Sequence, residues 1–181
     1  MVGFLSVYAA ALVFSGDSYN TQTIVVAILF TSLGSLTPDL DSQENVLYSL
    51  VPIGHRAVSE VFERLFGRHR SISHSLIGIT IFSFLSAFLI GAIPKENGLD
   101  ANALYAAYMI SLIAHVAADA ITKDGVPLLW PLKFKFGFPP FAFLRFKTGG
   151  WYETYVIRSL VIVSILFLTF IYWDRVLQLH K

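Results

Sequence analysis

The sequence predicts an all-α integral membrane protein with four to five transmembrane helices, a short interfacial amphipathic helix and an aromatic and basic cytoplasmic loop. Three observations carry that expectation. Of the 181 residues, 55% are hydrophobic and 14% are charged, whereas soluble domains run at roughly 45–50% apolar and about a quarter charged. The mean hydropathy is +0.65. A soluble fold of this size cannot hide so much apolar surface, so lipid must be part of its solvent. The apolar residues also fall in long runs without alternating polarity. A span satisfies its own backbone hydrogen bonds, which leaves helices and excludes a barrel. The length allows one domain, a single membrane-embedded helical unit over residues 1–181.

A span needs roughly 20 apolar residues. Residues 2–15 form an apolar stretch too short to cross comfortably: a partial span, a tilted packed helix, or a segment whose start is missing. Residues 21–36 are short but uninterrupted by charge. Residues 74–93, 101–121 and 155–173 have the length of full spans. No basic region precedes the first stretch, so no cleaved signal peptide is expected. The connection at 37–73 carries Arg56, Arg64, Arg68 and Arg70. The one at 122–154 carries Lys123, Lys133, Lys135, Arg145 and Lys147. The short connections at 16–20 and 94–100 hold only Lys95. Lys and Arg remain on the cytoplasmic side. The expectation is therefore a multi-pass protein of the cytoplasmic (inner) membrane with both long loops facing the cytoplasm.

Within the first long loop, residues 57–68 place Val58, Val61, Phe62, Leu65 and Phe66 on one helical face, with Ser59, Glu60, Glu63 and Arg64 elsewhere. That pattern predicts a short amphipathic helix on the membrane surface. In the second, residues 130–147 alternate aromatics with bases. They read equally as a hairpin pressed into the interface or as a hydrophobic loop packed over the bundle.

Chemistry-bearing residues converge on the cytoplasmic side. Pro38, Asp39, Leu40 and Asp41 follow the second apolar stretch. His69, Arg70, Ser73, His74 and Ser75 open the third. His115 and Asp119 close the fourth, and Glu153 precedes the fifth. His115 and Asp119 are four apart and share a helix face. Pro38 ends or kinks its helix, which lets Asp39 and Asp41 reach one site. Taken singly, each motif has a bland reading: a turn, interfacial histidines, a packed pair, an acid favouring a helix dipole. Those readings do not predict a common face. The chain has no cysteine, so metal ligands must be His, Asp or Glu. Such a set suits a divalent metal, zinc first, with manganese or magnesium as the other choices. Asp39, Asp41, His69, His74, His115 and Asp119 are the metal candidates. Arg70, able to hold a phosphate, and Glu153 are the catalytic candidates. His55 has no role, and His180 lies in the opposite tail. A net charge of +1 argues against a nucleic-acid partner.

The ordered set Pro38-Asp39-Leu40-Asp41, His69-Arg70-x-x-Ser73-His74-Ser75 and His115-x-x-x-Asp119 resembles the YdjM-like family. The stretch from Asp124 through Pro131 and the region from Gly150 to Glu153 are similar to it as well. The resemblance implies a membrane-bound protein of a class inferred to be metal-dependent hydrolases, some of them SOS-regulated. It implies that Asp39, Asp41, His69, His74, His115 and Asp119 hold the metal, with Glu153 as an addition. The His-x-x-x-Asp element is also similar to zinc-dependent phospholipase C. The sequence departs from the family pattern in three places. The opening residues lack its N-terminal His, Ser71 and Ser73 stand for its Gly and Thr, and Ser42 stands where His is common.

The expected function is a metal-dependent hydrolase of the cytoplasmic membrane that uses a metal-activated water on a phosphoester or lipid-linked substrate, with membrane lipid as its partner. Two rivals stand beside it: a metal-ion or proton transporter, and a non-catalytic scaffold with a structural metal.

Overall fold

The computed structural model describes residues 19–41 and 72–147, with Glu60, Val61, Arg64 and Phe170 besides. Among them the fold is all-helical. Three α-helices, α1 (Thr21–Leu36), α2 (Leu76–Gly91) and α3 (Ala101–Ala120), are joined through short 3-10 turns, without a strand.

Capping residues set where the helices start. The Asn20 side chain accepts from the Thr23 amide at 2.7 Å. Ser75 accepts from Gly78, and Asp100 accepts from Asn102 and Ala103. Each cap satisfies an amide that has no partner within its helix, for about 1 kcal/mol. Two caps also join helices. Asn20 donates to the Gly98 carbonyl at 2.7 Å, and the Asp100 amide donates to Thr23 Oγ1 at 3.2 Å. Helices α1 and α3 therefore start side by side and run parallel, while α2 returns in the opposite direction.

The core is stacked in three layers between these ends. Ile24, Ala27, Ile90, Ala103, Leu104 and Ala107 pack near the capped end. Phe82, Tyr108 and Leu112 fill the middle. Val116, Ala120 and Val126 close the other end. Helices α1 and α3 meet through small residues: Thr23, Ala27, Thr31 and Gly34 on one, Ala103, Ala107 and Ser111 on the other, all buried. At Gly34 a Cβ would collide with the Tyr108 carbonyl oxygen. Small residues at four-residue spacing let backbones approach closely, the usual route to helix association in lipid. Facing outward are Val25 and Leu29 on α1, Phe84 and Phe88 on α2, and Ile110 and Ile113 on α3, all exposed. Apolar groups inside and out suit helices solvated by lipid.

Helix α3 has 20 residues, about 30 Å at 1.5 Å each, which matches the hydrocarbon thickness of a bilayer. It is the one described helix long and apolar enough to cross a membrane. Helices α1 and α2 have 16 residues each, about 24 Å. The span expected at 74–93 is therefore shorter than the apolar run. Ile72–His74 form a 3-10 turn, Ser75 caps the helix, and the chain leaves it at Ala92 ahead of Pro94. The stretches at 2–15 and 155–173 lie outside the described residues, so four to five spans reduce to one full-length helix and two shorter ones among those described. Of the amphipathic helix expected at 57–68, Glu60, Val61 and Arg64 are helical and exposed, and its other residues lie outside the description.

Residues 121–147 do not form a two-stranded hairpin. They make an irregular loop with two isolated bridges, Thr122 to Phe146 and Val126 to Phe136. Pro127, Pro131, Pro139 and Pro140 cannot donate to a ladder. The loop folds back on the end of the bundle: the Leu76 amide donates to the Leu128 carbonyl at 2.9 Å.

Candidate metal centre

Three segments meet at the end of the bundle opposite the Asn20 and Asp100 caps. Helix α1 stops at Leu36, with Thr37 as its C-cap. Pro38 cannot extend the helical ladder, and Pro38–Asp41 turn into a 3-10 helix that carries Asp39 across the bundle. Ile72–His74 form a second such turn, in which Ser73 and His74 are buried. Gly78, in the first turn of α2, lets this turn press against the helix, because a Cβ there would meet the Ile72 carbonyl oxygen. His115 and Asp119 come from the last turns of α3.

These elements aim four side chains at one point. His74 Nε2 lies 3.1 Å from Asp119 Oδ2 and 3.6 Å from Asp39 Oδ1. His115 Nε2 lies 3.5 Å from Asp39 Oδ2 and 3.8 Å from Asp119 Oδ2. One donor atom from each residue falls within 4.8 Å of all the others. Four donors placed tetrahedrally at roughly 2.0–2.2 Å from a zinc ion would be about 3.4 Å apart. The four distances bracket that value, so Asp39, His74, His115 and Asp119 are close enough to bind a single metal ion. The His74 side chain is fully buried while that of Asp39 is 33% exposed, so the centre opens on the Asp39 side.

Electrostatics point the same way. Asp39 follows the C-terminus of α1 and Asp119 sits in the last turn of α3. A helix C-terminus carries partial negative charge and favours cations, yet neither last turn holds a basic residue. Both carboxylate placements oppose the local dipole, and a divalent cation among the four donors would offset the two at once.

Two supports were not visible in the sequence. Ser73 Oγ lies 2.9 Å from His74 Nδ1, the ring nitrogen turned away from the carboxylates. Tyr108 donates to Thr37 Oγ1 at 3.1 Å, and Thr37 donates to the Leu33 carbonyl at 2.7 Å. Together these tie the start of the Asp39 turn to α3. The hydroxyl of Ser73, carried by the motif but with no role assigned, was the one available signal.

Of the sequence-derived candidates, Asp39, His74, His115 and Asp119 are brought together. Asp41 closes the same 3-10 turn as Asp39, but its side chain is outside the described part. His69, Arg70, Glu153, His55 and His180 also lie outside the described residues.

Comparison with known proteins gives a consistent family. The family described as YdjM inner membrane protein matches residues 1–177. The inner membrane protein YdjM of Escherichia coli strain K12 is 31% identical over 135 residues, 74% of this chain and 62% of that protein. The Shigella flexneri protein of the same name gives the same values. The chain thus spans somewhat under two thirds of the length of those two relatives. The uncharacterized protein YvsG of Bacillus subtilis strain 168 is 28% identical over 175 residues, 97% of this chain and 94% of that protein. No solved structure matches the chain. The chain belongs to the YdjM inner membrane protein family.

Proposed function

We propose that the chain is a multi-pass protein of the inner membrane that binds a divalent metal ion at Asp39, His74, His115 and Asp119 and uses it to hydrolyse a phosphoester or lipid-linked substrate at the cytoplasmic face. The observation that carries the reading is the convergence of two imidazoles and two carboxylates, from three separate segments, within 4.8 Å. The nitrogen and oxygen donor set suits zinc, with manganese or magnesium as the other candidates. When bound, such an ion supplies Lewis-acid polarisation and a water acidic enough to act as a nucleophile near neutral pH.

The protein's own groups have distinct tasks. His74, buried and backed by Ser73, fixes the inner wall. Asp39, on the exposed side of the centre, borders the opening through which a substrate would arrive. Four protein donors fill a tetrahedral set, so a catalytic centre needs one carboxylate to yield or the coordination to expand, since catalytic zinc sites keep a position open. Asp39 is the donor best placed to yield. Arg70 is assigned to anchor a phosphate and Glu153 to assist proton transfer on the sequence alone, Arg70 from the motif that ends in His74 and Ser75 and Glu153 from the stretch that follows Gly150.

Transport is the less supported reading. Transport sites normally lie near the bilayer midplane, whereas the four donors lie at one end of the bundle. Beneath them, among the described residues, are the apolar layers around Leu112 and Leu104.

The test is the metal content of the detergent-purified protein, wild type beside His115→Ala and Asp119→Ala, followed by a phosphoester substrate screen. About one equivalent in the wild type, lost in both variants, with turnover that follows the metal, is the expected result. Protein devoid of metal after reconstitution would remove the reading. A saturated centre without turnover on any phosphoester would favour the scaffold.

A further inference from the structure

The loop that follows Asp119 carries surface that the metal centre does not use. Leu132, Phe134, Phe138, Phe141 and Phe143 are each more than 60% exposed. So many large apolar side chains in one short loop exceed what a water-exposed surface tolerates. Bases are interleaved with them. Residues 121–147 hold Lys123, Lys133, Lys135, Arg145 and Lys147 against the single acid Asp124, a balance of five minus one, or +4.

The bases divide into two kinds. The Arg145 guanidinium turns inward: its Nε donates to the Pro139 carbonyl at 2.7 Å and its Nη2 to the Pro140 carbonyl at 2.9 Å. It clamps the turn that displays Phe138, Phe141 and Phe143. Lys133 and Lys135 flank Phe134 and are exposed. Aromatic rings beside free ammonium groups match a bilayer surface, with rings at the headgroup level and cations on lipid phosphates. A basic side chain close to an anionic leaflet is drawn to its negative surface potential.

We propose that residues 129–144 form a foot that seats its aromatic side chains in the headgroup layer of the leaflet beside the metal centre and holds anionic phospholipid through Lys133 and Lys135. This rests on the reading of the chain as a membrane protein, and not on the chemistry of the centre. Its consequence is positional. The foot is tied to the end of α3, where Thr122 donates to the Asp119 carbonyl at 2.8 Å and the Phe138 amide donates to the Ala120 carbonyl at 2.9 Å. The depth of the foot therefore sets the depth of Asp119, and it brings anionic headgroups to the side of the centre.

The chain has no cysteine, so single cysteines report without background. The experiment places nitroxide labels at Phe134→Cys and Phe143→Cys, with Glu96→Cys on the exposed far-end turn as the aqueous reference. The protein sits in nanodiscs of phosphatidylcholine with or without phosphatidylglycerol. Labels at 134 and 143 should collide with oxygen in preference to a water-soluble nickel chelate. Phosphatidylglycerol should deepen them, and Lys133→Gln with Lys135→Gln should abolish that lipid dependence. Nickel-chelate collision at both positions as frequent as at position 96 would overturn the proposal. Dipolar broadening between labels of two copies would overturn it too, since the foot would then be a dimer surface. Neither readout needs turnover, so an inactive metal centre leaves the result intact.

Discussion

At the scale of single residues, the question is which nitrogen of His74 faces the carboxylates as a lone pair. Nε2 points at Asp39 and Asp119. It can ligate only if Nδ1 carries the proton, and Ser73 Oγ, 2.9 Å away, is placed to accept it. Such partners of ligand histidines fix tautomer and ring orientation, and their loss typically costs 10–100-fold in metal affinity. Ser73→Ala should weaken metal binding by roughly that factor, while Ser73→Thr should retain it. Competition against a metal-binding dye measures both, and equal affinity in wild type and Ser73→Ala would show that the hydroxyl is incidental. A sharper loss is expected from Gly78→Ala, because the added methyl meets the Ile72 carbonyl and shifts the turn that carries His74. His115 and Asp119 were legible in the sequence because their four-residue spacing fixes a shared face in any helix. Asp39 was legible because Pro38 forces the chain off the helix. The Ser73 partnership depends on where a 3-10 turn puts two neighbouring side chains, and local periodicity does not report that.

At the scale of elements, the contact between α1 and α3 sets where the Asp39 turn lies relative to His115. Gly34 admits the Tyr108 backbone, and the Tyr108 hydroxyl in turn holds Thr37, one residue from the Pro38 turn. Gly34→Val should separate the two helices and move Asp39 away from His115. Thermal stability and metal occupancy should then fall together. A variant that melts early but binds metal with unchanged affinity would uncouple the interface from the centre. Ser111, one turn below His115, is fully buried, and its hydroxyl has no hydrogen-bond partner among the described residues. An unmet buried hydroxyl costs about 1–3 kcal/mol. Ser111→Ala should therefore keep or raise the melting temperature, and a clear drop would mean that the hydroxyl is engaged. Residues 21–36 and 101–121 were readable as helices because Asn20 and Asp100 cap apolar runs of nearly those lengths. The run at 74–93 was read too long, since hydropathy counts His74 and Ser75 as the first turn of a helix when they are its preceding turn and its cap.

At the scale of the whole molecule, the metal would act on stability as well as chemistry. Its four donors come from the turn after α1, the turn before α2 and the last turns of α3, so one ion there would tie the ends of all three helices. The other end is already tied by Asn20 to Gly98 and by Asp100 to Thr23. Without the ion, the two carboxylates sit beside helix C-termini with no basic residue in either last turn. That relative orientation of the helices was the part the sequence could not express. The excess of Lys and Arg in two loops predicts which face they share, but it does not say that α1 and α3 run parallel and deliver their C-termini to that face. A ligand that binds only the folded state adds about 2.7 kcal/mol when present at 100 times its dissociation constant. Chelation of the wild type should therefore lower its melting temperature in detergent, and added zinc should restore it. His115→Ala should melt near the chelated wild type and respond to neither treatment. If the wild type ignores both chelator and zinc while His115→Ala is markedly less stable, the histidine–carboxylate contacts themselves hold the helix ends together and the ion does not.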